Sequence, residues 1–195
     1  LFLSSTEKFK LTGGMLATPM VMMILDSPNH KKYDVSSWKH IWFAGAGIIP
    51  AVYKKFIDTY GNILGEHPGT TETTGVTTNL GPRDIQDAFD RGDNNILESC
   101  GRASFDMEAL IVDENGKECA VGEEGQIVVR SLDKSVPPGL LMGYWDEGCK
   151  LRRIYQDCYG TGDVAWRDEN GYYWFVGRND DVIKCSGYRI GPFEI

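Results

Sequence analysis

The 195-residue chain is short of several things, and each shortage closes off a class of function. It has three histidines; His30 and His40 stand in polar or mixed surroundings with no second ligand nearby, so no metal site is argued from them. Its five cysteines (Cys100, Cys119, Cys149, Cys158 and Cys185) are odd in number and contain no C-x-x-C, which fits a reduced, cytoplasmic setting better than a disulfide framework. Basic charge is in deficit: 20 Lys and Arg against 28 Asp and Glu leave a net charge of −8. Nucleic acid and anionic membranes both demand a basic surface, so neither is expected as a partner. The longest apolar run, Met20 to Leu25, is far below the ~18 residues of a membrane span. No signal-peptide pattern is present. What remains is ordinary for a globular protein: 42% hydrophobic and 25% charged residues, enough for one good core or two small lobes. An anionic ligand would have to meet local positive charge and a metal, not a global field.

The order of elements reads as α/β. Thr18-Pro19 ahead of Met20–Leu25 predicts a helix opened by proline and stopped by Asp26-Ser27-Pro28, with its methionines in the core. His40–Phe43 reads as a buried strand running into Ala44-Gly45-Ala46-Gly47. Pro50 then opens a helix in which Val52, Phe56 and Tyr60 recur at every fourth position. Strand, glycine turn and helix together can bring bare backbone to a ligand, although a plain tight turn looks the same. Ile63-Leu64 begins another strand, followed by His67-Pro68-Gly69-Thr70-Thr71-Glu72-Thr73-Thr74, a polar loop expected outside the core. Its hydroxyls suit phosphate oxygens and its carboxylate suits a hard divalent ion.

Residues 80–98 read as a charged connection with one short helix at most. From Phe105 the period changes to two, with Phe105, Met107, Ala109 and Ile111 on one side of a half-buried strand. Asp113-Glu114-Asn115-Gly116 and Asp168-Glu169-Asn170-Gly171 predict two hairpin turns, with strands at Gly125–Val129, Val164–Trp166 and Tyr172–Val176. Tyr159-Gly160-Thr161-Gly162-Asp163 is expected to precede the second hairpin. Residues 1–100 therefore form a partial α/β/α subdomain, 101–178 a small β-rich one, and 179–195 a closing segment.

That closing segment is the most informative. From Gly177 to Ile195, six charged residues sit among short apolar pairs, with three glycines and one proline. Arg178, Asp180, Asp181, Lys184 and Arg189 flank a Cys185-Ser186-Gly187 turn. Arginine forks suit phosphate because they bond two oxygens at once, and a Ser-Gly turn lets backbone come close to a ligand. G-R-N-D-D-V-I-K-C-S-G-Y-R-I-G-P-F-E-I resembles the signature that closes the large domain of the adenylate-forming superfamily: acyl- and aryl-CoA synthetases, peptide-synthetase adenylation domains and luciferases. Its ending is most similar to short- and medium-chain acyl-CoA synthetases.

The resemblance implies a fold and a set of roles. The β-rich subdomain would be a distorted barrel, and 179–195 would lead, through a hinge at Asp180, to a C-terminal domain. Gly45-Ala46-Gly47 would be the adenine-contacting loop. Pro68-Gly69-Thr70-Thr71-Glu72 aligns with the family's Tyr-Gly-x-Thr-Glu motif, so Thr71 would touch the α-phosphate and Glu72 would bind Mg2+. Pro68 departs from the motif: it lacks the ring that stacks on adenine, a loss of ~1 kcal/mol. Asp163, in Thr-Gly-Asp, would pair with Arg178 on the ribose. Arg189 would face phosphate, Ser186-Gly187 would border the thiol approach, and Lys184 would have a lesser role in the second step.

The implied reaction joins a small carboxylic acid to coenzyme A at the expense of ATP, through an acyl-adenylate, as in fatty acid metabolism. Two required parts are absent from these residues: a phosphate loop on the N-terminal side and a lysine-bearing C-terminal domain. The chain alone is therefore expected not to be a competent synthetase. Two alternatives stand beside this reading, an adenylation domain loading a carrier protein and a non-catalytic nucleotide- or acyl-binding module.

Overall fold

The computed structural model describes residues 1–75, 77–105, 107–131, 139–145 and 158–179, with the backbone of 183–185 and 188–190. The chain divides into two units. The first comprises Leu1–Glu66, Leu80–Glu98 and Lys184–Arg189; the second comprises His67–Asn79, Ser99–Ile183 and Ile190–Ile195.

In the first unit, helix α1 (Phe2–Phe9) leads to β1 (Gly13–Ala17), α2 (Thr18–Asp26), β2 (His40–Ala44), α3 (Pro50–Tyr60) and β3 (Leu64–Glu66). The three strands pair in parallel in the order β1-β2-β3. Parallel neighbours need a long crossover, and α2 and α3 provide the two helices. Both helices carry proline in the first turn, where the missing N–H has no partner to lose. Leu16, Ile41, Phe43 and Leu64 of the sheet are buried, as are Val52, Tyr53 and Phe56 of α3. Phe43 and Tyr53 meet at 5.8 Å between ring centres.

Two features differ from the expectations. The methionines of α2 are not core: Val21, Ile24 and Leu25 take the single inward stripe a nine-residue helix can offer, leaving Met20, Met22 and Met23 exposed. Residues 80–98 are also better ordered than a charged connection. Helix α4 (Pro82–Arg91) starts with Pro82, accepts the Gly81 N–H on Asp84 at 3.3 Å, and closes on Gly92 at φ +68. Those are capping signals, invisible to composition. Ile85 and Ala88 bury its inner face, and a 3-10 turn at Asn94–Glu98 follows.

In the second unit, β4 (Thr78–Asn79) pairs with β5 (Arg102–Ala103). Strands β6 (Glu108–Val112), β7 (Gly125–Arg130), β8 (Tyr159–Arg167) and β9 (Tyr173–Arg178) form an antiparallel sheet in chain order. Among the described residues this sheet is open, and it stands where the barrel was expected. Both Asp-Glu-Asn-Gly turns form. The Asp113 and Asp168 carbonyls accept the Gly116 and Gly171 N–H groups at 3.0 and 3.1 Å, and their carboxylates accept further backbone N–H groups.

The predicted alternation in β6 gives way, because both faces are covered. Ala109 and Ile111 pack with Ile127, Val129, Tyr159, Ala165 and Tyr173, while Leu110 and Val112 pack with Val128. Phe105 lies ahead of the strand and is exposed. Strand β8 begins at Tyr159, so Thr161-Gly162-Asp163 is inside the strand and not before it. Strands β10 (Ile183–Cys185) and β11 (Tyr188–Ile190) pair with each other. No helix among the described residues is long and apolar enough to cross a membrane.

Candidate active site

The threonine loop of the second unit is only half a surface loop. Thr70, Thr73, Thr77 and Thr78 are buried, whereas Thr71 and Thr74 are exposed and Glu72 is half-buried. Burying so many hydroxyls is tolerable because they satisfy one another and the backbone. The Thr73 hydroxyl donates to the Thr70 carbonyl at 3.1 Å and lies 3.3 Å from the Thr77 hydroxyl. The Pro68 carbonyl accepts the N–H groups of Thr77 and Thr78 at 2.9 and 3.3 Å. Pro68 therefore contributes its carbonyl to the loop's frame. The inner threonines fix a 3-10 turn at Thr71–Thr73 that presents Thr71 outward and ends on Thr74, a β-branched residue at φ +58. Such a conformation is strained and needs support.

The support comes from residues 139–145. The Thr74 hydroxyl donates to the Gly139 carbonyl, and the Leu141 N–H donates to the Glu72 carbonyl at 2.9 Å. The Tyr144 hydroxyl donates to Glu72 Oε1 at 2.6 Å. The bond to Glu72, with burial next, holds the Tyr144 hydroxyl well above the usual tyrosine range.

Asp163 and Arg178 face each other across β8 and β9. Arg178 Nη1 donates to Asp163 Oδ1 and to the Thr161 carbonyl, both at 3.2 Å, and each side chain of the pair is 12% exposed. The Thr161 hydroxyl donates to the Ile127 carbonyl and accepts the Asp163 N–H, each at 3.1 Å. Gly162, at φ +79, lies so close to the guanidinium that a Cβ there would stand 2.7 Å from Arg178 Nη2. The pair is thus seated before any ligand arrives.

In the first unit, Gly45-Ala46-Gly47 follows β2 with Gly45 at φ +108, and the Thr18 hydroxyl donates to the Ala46 carbonyl. Glu66, at the end of β3, is buried and accepts the Tyr53 hydroxyl at 2.9 Å. A Cβ on Gly47 would lie 3.9 Å from Glu66 Oε1. Burial pushes the Glu66 carboxyl up to about 7, and the Tyr53 bond opposes part of that rise.

Of the residues singled out from the sequence, Pro68, Gly69, Thr70, Thr71, Glu72, Asp163 and Arg178 belong to the second unit and Gly45, Ala46 and Gly47 to the first. Asp180, Ser186 and Gly187 lie outside the described residues, as do the side chains of Lys184 and Arg189. Sequence reasoning missed Thr18, Tyr53, Glu66, Tyr144 and Thr161. For Thr161 the signal was available, since an alternating strand places it on the same side as Asp163.

Mg2+ suits the donors present. Among the described residues no group of three or more His, Cys, Asp or Glu side chains could hold a metal by itself. Glu72 and the exposed Thr71 hydroxyl are hard oxygen donors of the kind that bind Mg2+ together with waters and substrate phosphates.

The AMP-binding enzyme family matches residues 1–145. The chain is 34% identical over 194 residues to the mitochondrial acyl-coenzyme A synthetase ACSM3 of Mus musculus, covering 99% of this chain and 31% of that protein. It is 30% identical over 190 residues to the medium/long-chain-fatty-acid–CoA ligase FadD8 of Mycobacterium tuberculosis (strain ATCC 25618 / H37Rv), covering 97% of this chain and 31% of that one. Among solved structures, the amide bond synthetase McbA from Marinactinospora thermotolerans superposes with a TM-score of 0.81 at 25% identity, covering 97% of this chain and 36% of that one. The chain therefore spans about a third of the length of the curated relatives it matches. A match over most of its residues settles the family: this chain belongs to the AMP-binding enzymes, within the adenylate-forming superfamily that its closing signature resembles.

Proposed function

We propose that these residues are part of an AMP-forming acid–thiol ligase. In the first half-reaction a substrate carboxylate oxygen attacks the α-phosphorus of ATP. The bond to the pyrophosphate oxygen breaks, leaving acyl-adenylate and pyrophosphate. In the second, the coenzyme A thiol sulfur attacks the acyl carbon, AMP leaves, and the thiol proton is lost to solvent or a base.

Charge develops on phosphate oxygens in the first step, so positioned donors do most of the work. The exposed Thr71 hydroxyl would donate to an α-phosphate oxygen, and Glu72 would hold Mg2+, which when bound neutralises and orients the phosphates. Asp163, steadied by Arg178, would accept the two ribose hydroxyls. Gly45-Ala46-Gly47 would border adenine, Arg189 would face phosphate, and Ser186-Gly187 would lie along the thiol approach. Asp180 would be the hinge, and Lys184 would serve the second step. An odd number of cysteines with no C-x-x-C suits a reducing compartment such as the cytoplasm.

The observation that carries the reading is the Asp163–Arg178 pair, a nearly buried acid held at 3.2 Å by an arginine in the same unit as Glu72. The test is ATP–pyrophosphate exchange and AMP release by the full-length gene product with a panel of carboxylic acids. Acid-dependent exchange, with AMP release only when coenzyme A is added, is the expected result; exchange is not expected from the 195-residue chain alone. Pro68, lacking an aromatic ring to stack on adenine, favours a second reading as a binding module without turnover. ATP binding by calorimetry with neither exchange nor AMP release would establish that reading. Discharge onto a carrier protein in place of coenzyme A would place the protein with the adenylation domains.

A further inference from the structure

Glu72 is gripped at both ends by one short segment. Its main-chain carbonyl accepts the Leu141 N–H at 2.9 Å, its carboxylate accepts the Tyr144 hydroxyl at 2.6 Å, and the adjoining Thr74 is tied to Gly139. A glutamate left to itself samples many rotamers, and ordering one opposes binding by up to ~2 kcal/mol. Here the ordering is done in advance, with the Tyr144 hydroxyl on the carboxylate. Tyr144 is 38% exposed, which places it at the rim of the site and not in the core.

We propose that Tyr144 is a positioning residue for the metal–nucleotide complex: by donating to Glu72 Oε1 it sets the carboxylate's orientation. This rests on the reading that Glu72 holds the metal. Tyr144 then acts as an outer partner of a metal-binding carboxylate, a class of residue whose loss typically weakens metal affinity 10- to 100-fold.

The test uses the full-length gene product and Mn2+ as the probe, titrated by electron paramagnetic resonance in the presence of a non-hydrolysable ATP analogue. Three proteins are compared: wild type, Tyr144→Phe and Glu72→Gln. Phenylalanine keeps the ring of a partly exposed residue, and an unchanged urea midpoint would show that the fold is intact. Tyr144→Phe is expected to weaken Mn2+ binding about 10-fold. Its deficit in exchange rate should close at saturating metal, whereas a merely structural defect would persist there. Mn2+ affinity unchanged in Tyr144→Phe but lost in Glu72→Gln would overturn this proposal and leave the metal assignment standing. Affinity unchanged in Glu72→Gln would overturn both.

Discussion

Replacing Gly162 with alanine should destabilise the second unit by about 3–4 kcal/mol, and more than half of that loss should run through Arg178. The backbone there has φ +79, a conformation that costs an L side chain roughly 1–2 kcal/mol. A Cβ would also stand 2.7 Å from Nη2, 3.1 Å from Cζ and 3.4 Å from Nη1 of Arg178. The guanidinium cannot swing aside without loss, because Nη1 is committed to Asp163 and to the Thr161 carbonyl, both at 3.2 Å. A hydrogen bond to a charged group contributes roughly 1.5–3 kcal/mol. Adding about 2 for that to about 1.5 for the backbone gives the predicted total. Gly171 is the matched control: it has φ +82 with nothing within 4 Å of its Cβ, so Gly171→Ala should cost only the backbone share. Urea denaturation followed by the fluorescence of the stacked Trp166–Trp174 pair reports on this hairpin. Against an Arg178→Ala background, Gly162→Ala should cost no more than Gly171→Ala. Equal losses from the two glycine variants in the wild-type background would refute the argument from close approach.

Three further outcomes are expected. Glu66 carries a carboxyl raised by burial from 4.5 to about 7, so the folded protein keeps a proton that the unfolded chain releases. Its contribution to stability is complete below about pH 4.5 and is lost as pH rises to 7, by about 3 kcal/mol; Glu66→Gln should flatten the stability–pH profile over that window, and an unchanged slope would count against it. Thr161→Val removes the hydroxyl that serves the Ile127 carbonyl and the Asp163 N–H inside the sheet and should cost about 2 kcal/mol in urea, with Thr161→Ser restoring most of it. Asp163→Asn keeps the shape and removes the charge, so AMP affinity by calorimetry should fall about 10-fold or more, ~1.4 kcal/mol. Unchanged affinity with lower stability would assign Asp163 to the fold alone.

What was legible in the sequence was local. Proline-opened helices, the paired Asp-Glu-Asn-Gly turns and the short strands between them depend on residues within a few positions of each other, and each appears in the structure. The burial of alternate threonines and the capping of α4 depend on which hydroxyls and carboxylates find backbone partners, which residue types alone do not specify. The grip of Tyr144 on Glu72 joins residues 72 positions apart and left no local trace.

The Asp163–Arg178 pair is the instructive intermediate case. From its turn, the second hairpin sets Arg167 opposite Tyr173, Trp166 opposite Trp174 and Ala165 opposite Phe175. Continued without interruption, that register would set Asp163 opposite Gly177 and Arg178 opposite Gly162. Instead the register shifts between Val164 and Ala165, where β9 spends one extra residue, and Asp163 comes to face Arg178. A one-residue shift moves every later side chain to the other partner and the other face, which is how a bulge re-aims a residue. Turn chemistry therefore predicts the hairpin but misplaces the pair. The spacing of fifteen residues points to it only through resemblance to other adenylate-forming chains. The ion pair, the positive φ of Gly162 and the bulge form one local solution: the shift delivers the guanidinium to the carboxylate, and the missing Cβ leaves room for it to arrive.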